Sequence, residues 1–235
     1  MTMTAGKLVL AVPSKGRLME DSVAALGACG ITVRKPANAR GYRGTCDELP
    51  DIEVAFVSAS EIARHLLNGQ AHFGITGEDL VREYGTEGDS RVISVRALGF
   101  GHADVVVAVP DFWIDIATMA DLDRLADVFR TQRGHPLRVA TKYLNLTRRY
   151  FAQHGVADYR LVESTGATEG TPAAGTADLI VDITSSGETL RANALRILGD
   201  GVILKSQAHV FRSASAPVSP DVNRWAAQIV ERLSR

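Results

Sequence analysis

Small hydroxyl residues crowd one short stretch of this chain. Residues 179–181 are apolar, an acid follows at Asp182, and then come Thr184, Ser185, Ser186, Gly187, Glu188 and Thr189. A buried strand, a tight loop and a helix start in that order make an anion cradle. Loop N–H groups and the positive end of a helix dipole converge there, and the hydroxyls add donors. Gly187 admits close approach of the backbone because it has no Cβ. Asp182 is placed to accept from sugar hydroxyls or to hold a magnesium-bound water. An ordinary polar turn between a strand and a helix fits the same residues, so the loop needs company to carry a function.

Three further places offer it. Ser14-Lys15-Gly16-Arg17 puts two cations around a glycine between a strand and a helix. A compact ammonium and a forked guanidinium there suit phosphate oxygens. Arg40 and Arg43 flank Gly41 and Tyr42 in a loop. Lys142 and Tyr143 stand at another strand-to-helix junction, with Glu163 and Glu169 upstream of the hydroxyl loop. The six histidines are scattered, without the i,i+4 spacing of a metal site, and no serine or cysteine nucleophile motif accompanies them.

The elements that must position these residues alternate in type. Strand patterns at 7–12, 31–35, 54–57 and 72–76 are separated by helical patterns at 18–29 and 61–67, and residues 36–50 read as a loop. Farther on, strands are expected at 91–98, 103–109, 137–141, 159–163 and 179–181, with helices near 120–129, 144–154 and 189–198 and a closing amphipathic helix from Pro220. The pattern argues for an α/β protein with a largely parallel sheet. Residues 202–204 and 208–211 are expected to return to the first lobe. The organisation read from this is lobe I at 1–97 with 192–235, and lobe II at 98–191.

Bulk properties narrow the classes. At 235 residues the chain can bury a sizeable core, and its net charge of −1 provides no global field for nucleic acid or an anionic membrane. No stretch approaches the ~20 apolar residues of a membrane span, and the start lacks a signal-peptide pattern. Cys29 and Cys46 are too few for a disulfide framework: Cys29 is expected to pack near a helix end and Cys46 to sit in a polar loop. A cytoplasmic location is the simplest expectation.

Taken together, the motifs closely resemble the ATP phosphoribosyltransferase family. The run from Glu169 through Asp182 to Leu190 matches its signature spacing, Ser14-Lys15-Gly16-Arg17-Leu18 looks like its N-terminal motif, and residues 140–151 look like its central one. The resemblance implies a two-lobed periplasmic-binding-protein-like type II fold with an interdomain cleft and, in a chain of this length, no C-terminal regulatory domain. It implies that N1 of ATP attacks C1 of phosphoribosyl pyrophosphate, releasing pyrophosphate, with Mg2+ accompanying the substrates. On this reading Asp182, Thr184, Ser185, Ser186, Gly187, Glu188 (through its amide) and Thr189 bind phosphoribosyl pyrophosphate. Lys15, Arg17 and Arg40 meet the leaving group. Arg43, Lys142, Tyr143 and Glu163 are weaker candidates, the choice between Arg40 and Arg43 stays open, and no protein ligand to the metal is assigned. The implied partners are a histidyl-tRNA-synthetase-like regulatory subunit in a hetero-octamer, and a second copy in a homodimer. Some relatives carry an acid where this chain has Ser185, so no acid–base role transfers to that position. A solute-binding module of the same architecture and another phosphoribosyltransferase class are the competing readings; the second usually places two adjacent acids where Asp182 is followed by Ile183.

Overall fold

The computed structural model describes residues 7–35, 42–86 and 89–234. The chain divides into two units, Met1–His102 with Gln207–Arg235, and Ala103–Ser206. The first crossing falls close to the sequence expectation. The second falls later, and residues 192–206 belong to the second unit rather than to lobe I.

In the first unit, β1 (Leu8–Pro13) is apolar throughout because both of its faces are buried. Leu8, Leu10 and Val12 face a core completed by α1 (Gly16–Ala28) and α7 (Pro220–Leu233). Val9 and Ala11 face the other layer, where Ile62 and Leu66 of α2 (Ala59–Leu67) pack. Helix α2 begins in a capping box: Ser58 Oγ accepts from the Glu61 N–H, and the Glu61 carboxylate accepts from the Ser58 N–H at 3.0 Å. The layer closes tightly where α2 crosses β5 (Phe73–Gly77), since a Cβ on Gly74 would lie 2.6 Å from Ile62 Cγ2.

This sheet runs β2 (Val33–Arg34), β3 (Arg43–Cys46), β4 (Ile52–Val57), β1, β5, β12 (Ala208–Ser213), β6 (Val92–Ala97). Among its hydrogen-bonded pairs, β4–β1 and β1–β5 are parallel and the flanking pairs are antiparallel. The largely parallel sheet expected from element order is therefore a mixed one. Strand β3 also replaces part of the expected 36–50 loop, where Thr45 pairs with Glu53 and Cys46 is buried rather than exposed in a polar loop. A short α3 (Glu78–Tyr84) follows β5.

The second unit has the order β11 (Leu195–Leu204), β7 (Asp104–Pro110), β10 (Leu179–Thr184), β8 (Leu137–Thr141), β9 (Tyr159–Glu163). Strands β10, β8 and β9 are parallel, and β7 and β11 add antiparallel. Helices α4 (Met119–Val128), α5 (Leu144–Gln153) and α6 (Glu188–Ala192) complete it. The helix expected over 189–198 stops at Ala192. Ala194 takes a left-handed backbone (φ 52), which ends helical continuation, and the chain then pairs with β7 instead. Leu195 and Ile197 turn to one face of that strand and join the Val106, Ala108 and Ile180 core, so residues 202–204 stay in this unit. Tertiary pairing here overrides a local helical preference.

Candidate active site

In the second unit the carboxyl ends of the parallel strands β10, β8 and β9 lie side by side, with Val181 opposite Thr141 and Thr141 opposite Glu163. That edge of a sheet with parallel strands is where ligands of α/β proteins bind. Strand β10 delivers the hydroxyl loop. Gly187 has φ +70, and its N–H donates to Thr184 Oγ1 at 2.8 Å, closing the loop on itself. The Glu188 N–H is directed at Ser186 Oγ (3.4 Å), and Arg191 Nη1 donates to Ser186 O at 3.2 Å. Among the described residues the backbone N–H groups of Ser185, Ser186 and Thr189 have no protein acceptor, and these side chains are exposed. Two of the expected donors, the Gly187 and Glu188 amides, are thus turned to the loop itself. With only five residues, α6 adds a single turn of dipole, so the anion site rests on loop amides and hydroxyls more than on a helix.

Asp182 shares a face of β10 with Thr184 and is half-buried. Burial pushes its carboxyl above the ordinary aspartate range. The Ile183 N–H, Lys142 and the Thr168 hydroxyl pull it back, and Glu169 opposes them. Asp182 Oδ1 accepts from the Ile183 N–H at 2.8 Å. These partners place Lys142, at the end of β8, and Thr168 and Glu169, in the 3-10 turn Thr168–Gly170, around one carboxylate. Tyr143 is a different case: it is 1 % exposed, packed in the core beneath the Lys142 ammonium 5.0 Å from its ring, and offers no wall to a ligand. Glu163 is exposed at the end of β9, two strand spacings or roughly 10 Å from β10. Glu169 is the nearer acid. It was visible in the sequence as the first residue of the signature run, but Thr168 had no comparable signal.

The first unit repeats the arrangement at the ends of β4, β1 and β5. Ser14 N–H donates to Val57 O at 2.9 Å, and Lys35 Nζ donates to Ser14 O at 2.8 Å. Lys15 is the extended N-cap residue of α1, and Gly16 (φ +71) has open space around it. Arg17 is 92 % exposed, with Asp21 one turn on at 3.7 Å. Lys15, Arg17 and Lys35 make a local cationic rim on a chain of near-zero net charge. Arg43, on β3, is paired at 2.9 Å with Glu53, whose side chain is 9 % exposed, so its charge is engaged within the sheet. Arg40 lies outside the described residues. Glu78 and the buried Asp79 follow β5 at the same edge and open α3, the short helix that the sequence indicates after Gly77-Glu78-Asp79. No cluster of three His, Cys, Asp or Glu side chains suited to a metal ion occurs among the described residues.

Residues 58–235 match the family model for ATP phosphoribosyltransferase (HisG). The chain belongs to that family. The ATP phosphoribosyltransferase of Bradyrhizobium sp. (strain ORS 278) is 57% identical over 228 residues, spanning 97% of this chain and 70% of the relative. That of Nitrobacter winogradskyi is 56% identical with the same coverage, so the chain spans about 70% of the length of these curated relatives. Among solved structures, the ATP phosphoribosyl transferase (HisG:HisZ) complex from Thermotoga maritima aligns with TM-score 0.68 and 28% identity, covering 97% of this chain and 98% of that one. The substrate binding protein of an amino acid ABC transporter aligns with TM-score 0.53 at 12% identity, a likeness of fold alone. The fold is thus the periplasmic-binding-protein-like type II fold. The protein transfers phosphoribosyl from phosphoribosyl pyrophosphate to N1 of ATP, releasing pyrophosphate, in the first step of histidine biosynthesis. No helix among the described residues is long and apolar enough to cross a membrane.

Proposed function

We propose a division of labour between the two strand-end sites. The loop from Thr184 to Thr189 takes the 5-phosphate of phosphoribosyl pyrophosphate, and Asp182 accepts from the ribose hydroxyls. The observation that carries this is the set of unengaged N–H groups at Ser185, Ser186 and Thr189 beside exposed hydroxyls, two strand residues beyond a half-buried carboxylate. An ester phosphate needs several donors from one side, and a furanose ring places its hydroxyls on the flank of that phosphate. Lys142 supplies positive charge near Asp182.

Lys15 and Arg17 are assigned the pyrophosphate. As the C1–oxygen bond breaks, negative charge grows on the departing group while the ribose turns cationic. Cations aimed at that oxygen therefore act more on the transition state than on the bound substrate. Asp182 opposes the ribose charge by proximity and also fixes ring orientation for in-line attack by N1. Magnesium, carried in on the pyrophosphate, neutralises leaving-group charge when bound. Asp182 with Glu169 provides oxygen donors suited to its water shell, in keeping with an ion that usually retains waters and substrate oxygens.

For partners, the reading is a homodimer that joins a separate histidyl-tRNA-synthetase-like regulatory subunit as a hetero-octamer in the cytoplasm. It is supported by the likeness to a Thermotoga chain taken from a two-protein complex. The direct test of the site is titration calorimetry with phosphoribosyl pyrophosphate. Thr189→Ala removes one charge-assisted hydrogen bond worth roughly 1.5–3 kcal/mol, and the expected loss is about one to two decades in Kd. Unchanged affinity removes Thr189 from the site.

A further inference from the structure

The Lys15-Gly16-Arg17 turn has little of its own to hold it. Lys15 precedes α1 without a side-chain cap bond, no atom lies within 4 Å of where a Cβ on Gly16 would stand, and Arg17 reaches into solvent. The chain is fixed one residue earlier, at Ser14. Its N–H donates to Val57 O at 2.9 Å, and its carbonyl accepts from Lys35 Nζ at 2.8 Å. Lys35 comes from elsewhere, just past β2 and 21 positions along the sequence. Its ammonium also stands 5.5 Å from the centre of the Phe56 ring. Phe56 is buried in β4, and its N–H donates to Tyr42 O at 2.7 Å. An exposed lysine ordinarily keeps its rotamer freedom in water. Here a backbone acceptor and an aromatic face give one ammonium two anchors.

Holding the Ser14 carbonyl decides what happens across the bond. A trans peptide points its C=O and N–H in opposite directions, so the bond to Lys35 turns the Lys15 N–H away from Lys35. Among the described residues that N–H has no protein acceptor. We infer that Lys35 is a positioning residue: by clamping the Ser14 carbonyl it aims the Lys15 amide, and with it the Lys15-Gly16-Arg17 turn, at the departing pyrophosphate. The inference rests on the proposed role of Lys15 and Arg17 toward that group. Donors and cations already in place when charge develops need no rearrangement at that moment. Without the clamp, the Ser14–Lys15 peptide is free to rotate next to a glycine in the left-handed region (φ +71), and the turn meets the leaving group in only a fraction of its conformers. Because the charge grows in the transition state, the loss falls on kcat more than on KM.

The test compares Lys35→Met, which keeps an apolar stem beside Phe56 and removes the donor, with Lys35→Arg, which keeps charge and donor. Steady-state kinetics with phosphoribosyl pyrophosphate and ATP are measured for both, and for Lys35→Met combined with Arg17→Ala; thermal melting follows the fold. Lys35→Met is expected to lower kcat about three- to tenfold while KM for phosphoribosyl pyrophosphate moves by about twofold or less. Lys35→Arg is expected to recover most of that kcat, and melting should shift by no more than about 2 °C, since the side chain is exposed. In the Arg17→Ala background the same methionine substitution should cost about twofold or less, because a clamp acts through the turn it aims. A wild-type kcat in Lys35→Met, a loss confined to KM, an arginine variant as impaired as the methionine one, or an equal loss in both backgrounds overturns the inference. Lys35→Gln, which lacks the charge and the reach, carries the same expectations if the methionine variant folds poorly. Arg17→Ala alone separates the two levels. If its kcat matches wild type, the role of Arg17 falls and the clamp with it. If it lowers kcat while Lys35→Met does not, only the positioning role falls.

Discussion

Gly187→Ala tests the hydroxyl loop at its conformational hinge. At φ +70 an alanine costs about 1–2 kcal/mol relative to glycine. The steric part is small, because the new Cβ would meet only the end of the flexible Arg191 side chain, 3.0 Å from Nη1. At roughly 2–4 °C of Tm per kcal/mol for a chain of this size, melting should fall by about 2–8 °C. The binding effect has a separate origin. A loop that escapes the strain must break the Gly187 N–H bond to Thr184 Oγ1, and the Ser185, Ser186 and Thr189 amides then lose their common aim. Losing one charge-assisted bond to phosphate costs roughly 1.5–3 kcal/mol, or about ten- to a hundredfold in Kd. The structure supplies a control in Gly175, also at φ +70 but with open space around its Cβ position and outside the loop. Gly175→Ala should lower Tm comparably and leave phosphoribosyl pyrophosphate affinity alone. Thermal melting and calorimetry on both variants decide the matter. Wild-type affinity in Gly187→Ala, or an equal affinity loss in Gly175→Ala, would refute the reasoning.

Arg17→Ala should lower kcat more than it raises KM, since its charge meets the leaving group mainly in the transition state; a pure KM effect in steady-state kinetics contradicts that role. Ser58→Ala removes the capping box of α2 and should cost about 1 kcal/mol, read as a Tm fall of roughly 2–4 °C with kcat retained. His72 accepts the Val9 N–H at Nδ1 (3.0 Å) and lies 2.9 Å from Pro217 O through Nε2, which fixes it as a neutral ring, and burial lowers its pKa from the ordinary value of about 6.5. The folded state binds this proton less readily than the unfolded chain, so stability is full above pH ~6.5 and is lost as pH falls below it. Burial shifts His65 and His209 the same way. The urea midpoint should decline from pH 7 to pH 5, and a His72→Gln variant should show a shallower decline; an equal slope in both would remove His72 from the effect.

Where local chemistry decides, the sequence was legible. Asn68-Gly69 announces the end of α2 and Pro220 the start of α7, because each solves the helix-end problem within a few residues, whereas Ser58 and Ser60 both suit the cap before Glu61 and the structure selects Ser58. The apolar runs of β1 and β7 announce strands covered on both faces. Legibility failed where a distant partner intervened. Residues 195–204 suit either a helix or a strand, and the exposed edge of β7 made them a strand. Arg43 carries a charge that any loop could present to phosphate, but Glu53 on the neighbouring strand engages it.

The sequence by itself determined the family, the order of most elements and the chemistry of the hydroxyl loop. Residue type and spacing suffice for these: Thr184, Ser185, Ser186, Gly187 and Thr189 can line only a short polar turn after a strand. Tertiary structure alone decided which groups stand around Asp182. Thr168, Glu169 and Lys142 reach it because β10, β8 and β9 lie parallel and release their loops at one edge. Sequence neighbours of Asp182 carry no information about that company, since strand pairing brings together residues 13 to 40 positions away. The same packing buried Tyr143, while a local bond from the Gly187 N–H to Thr184 Oγ1 sets which donors remain for a phosphate.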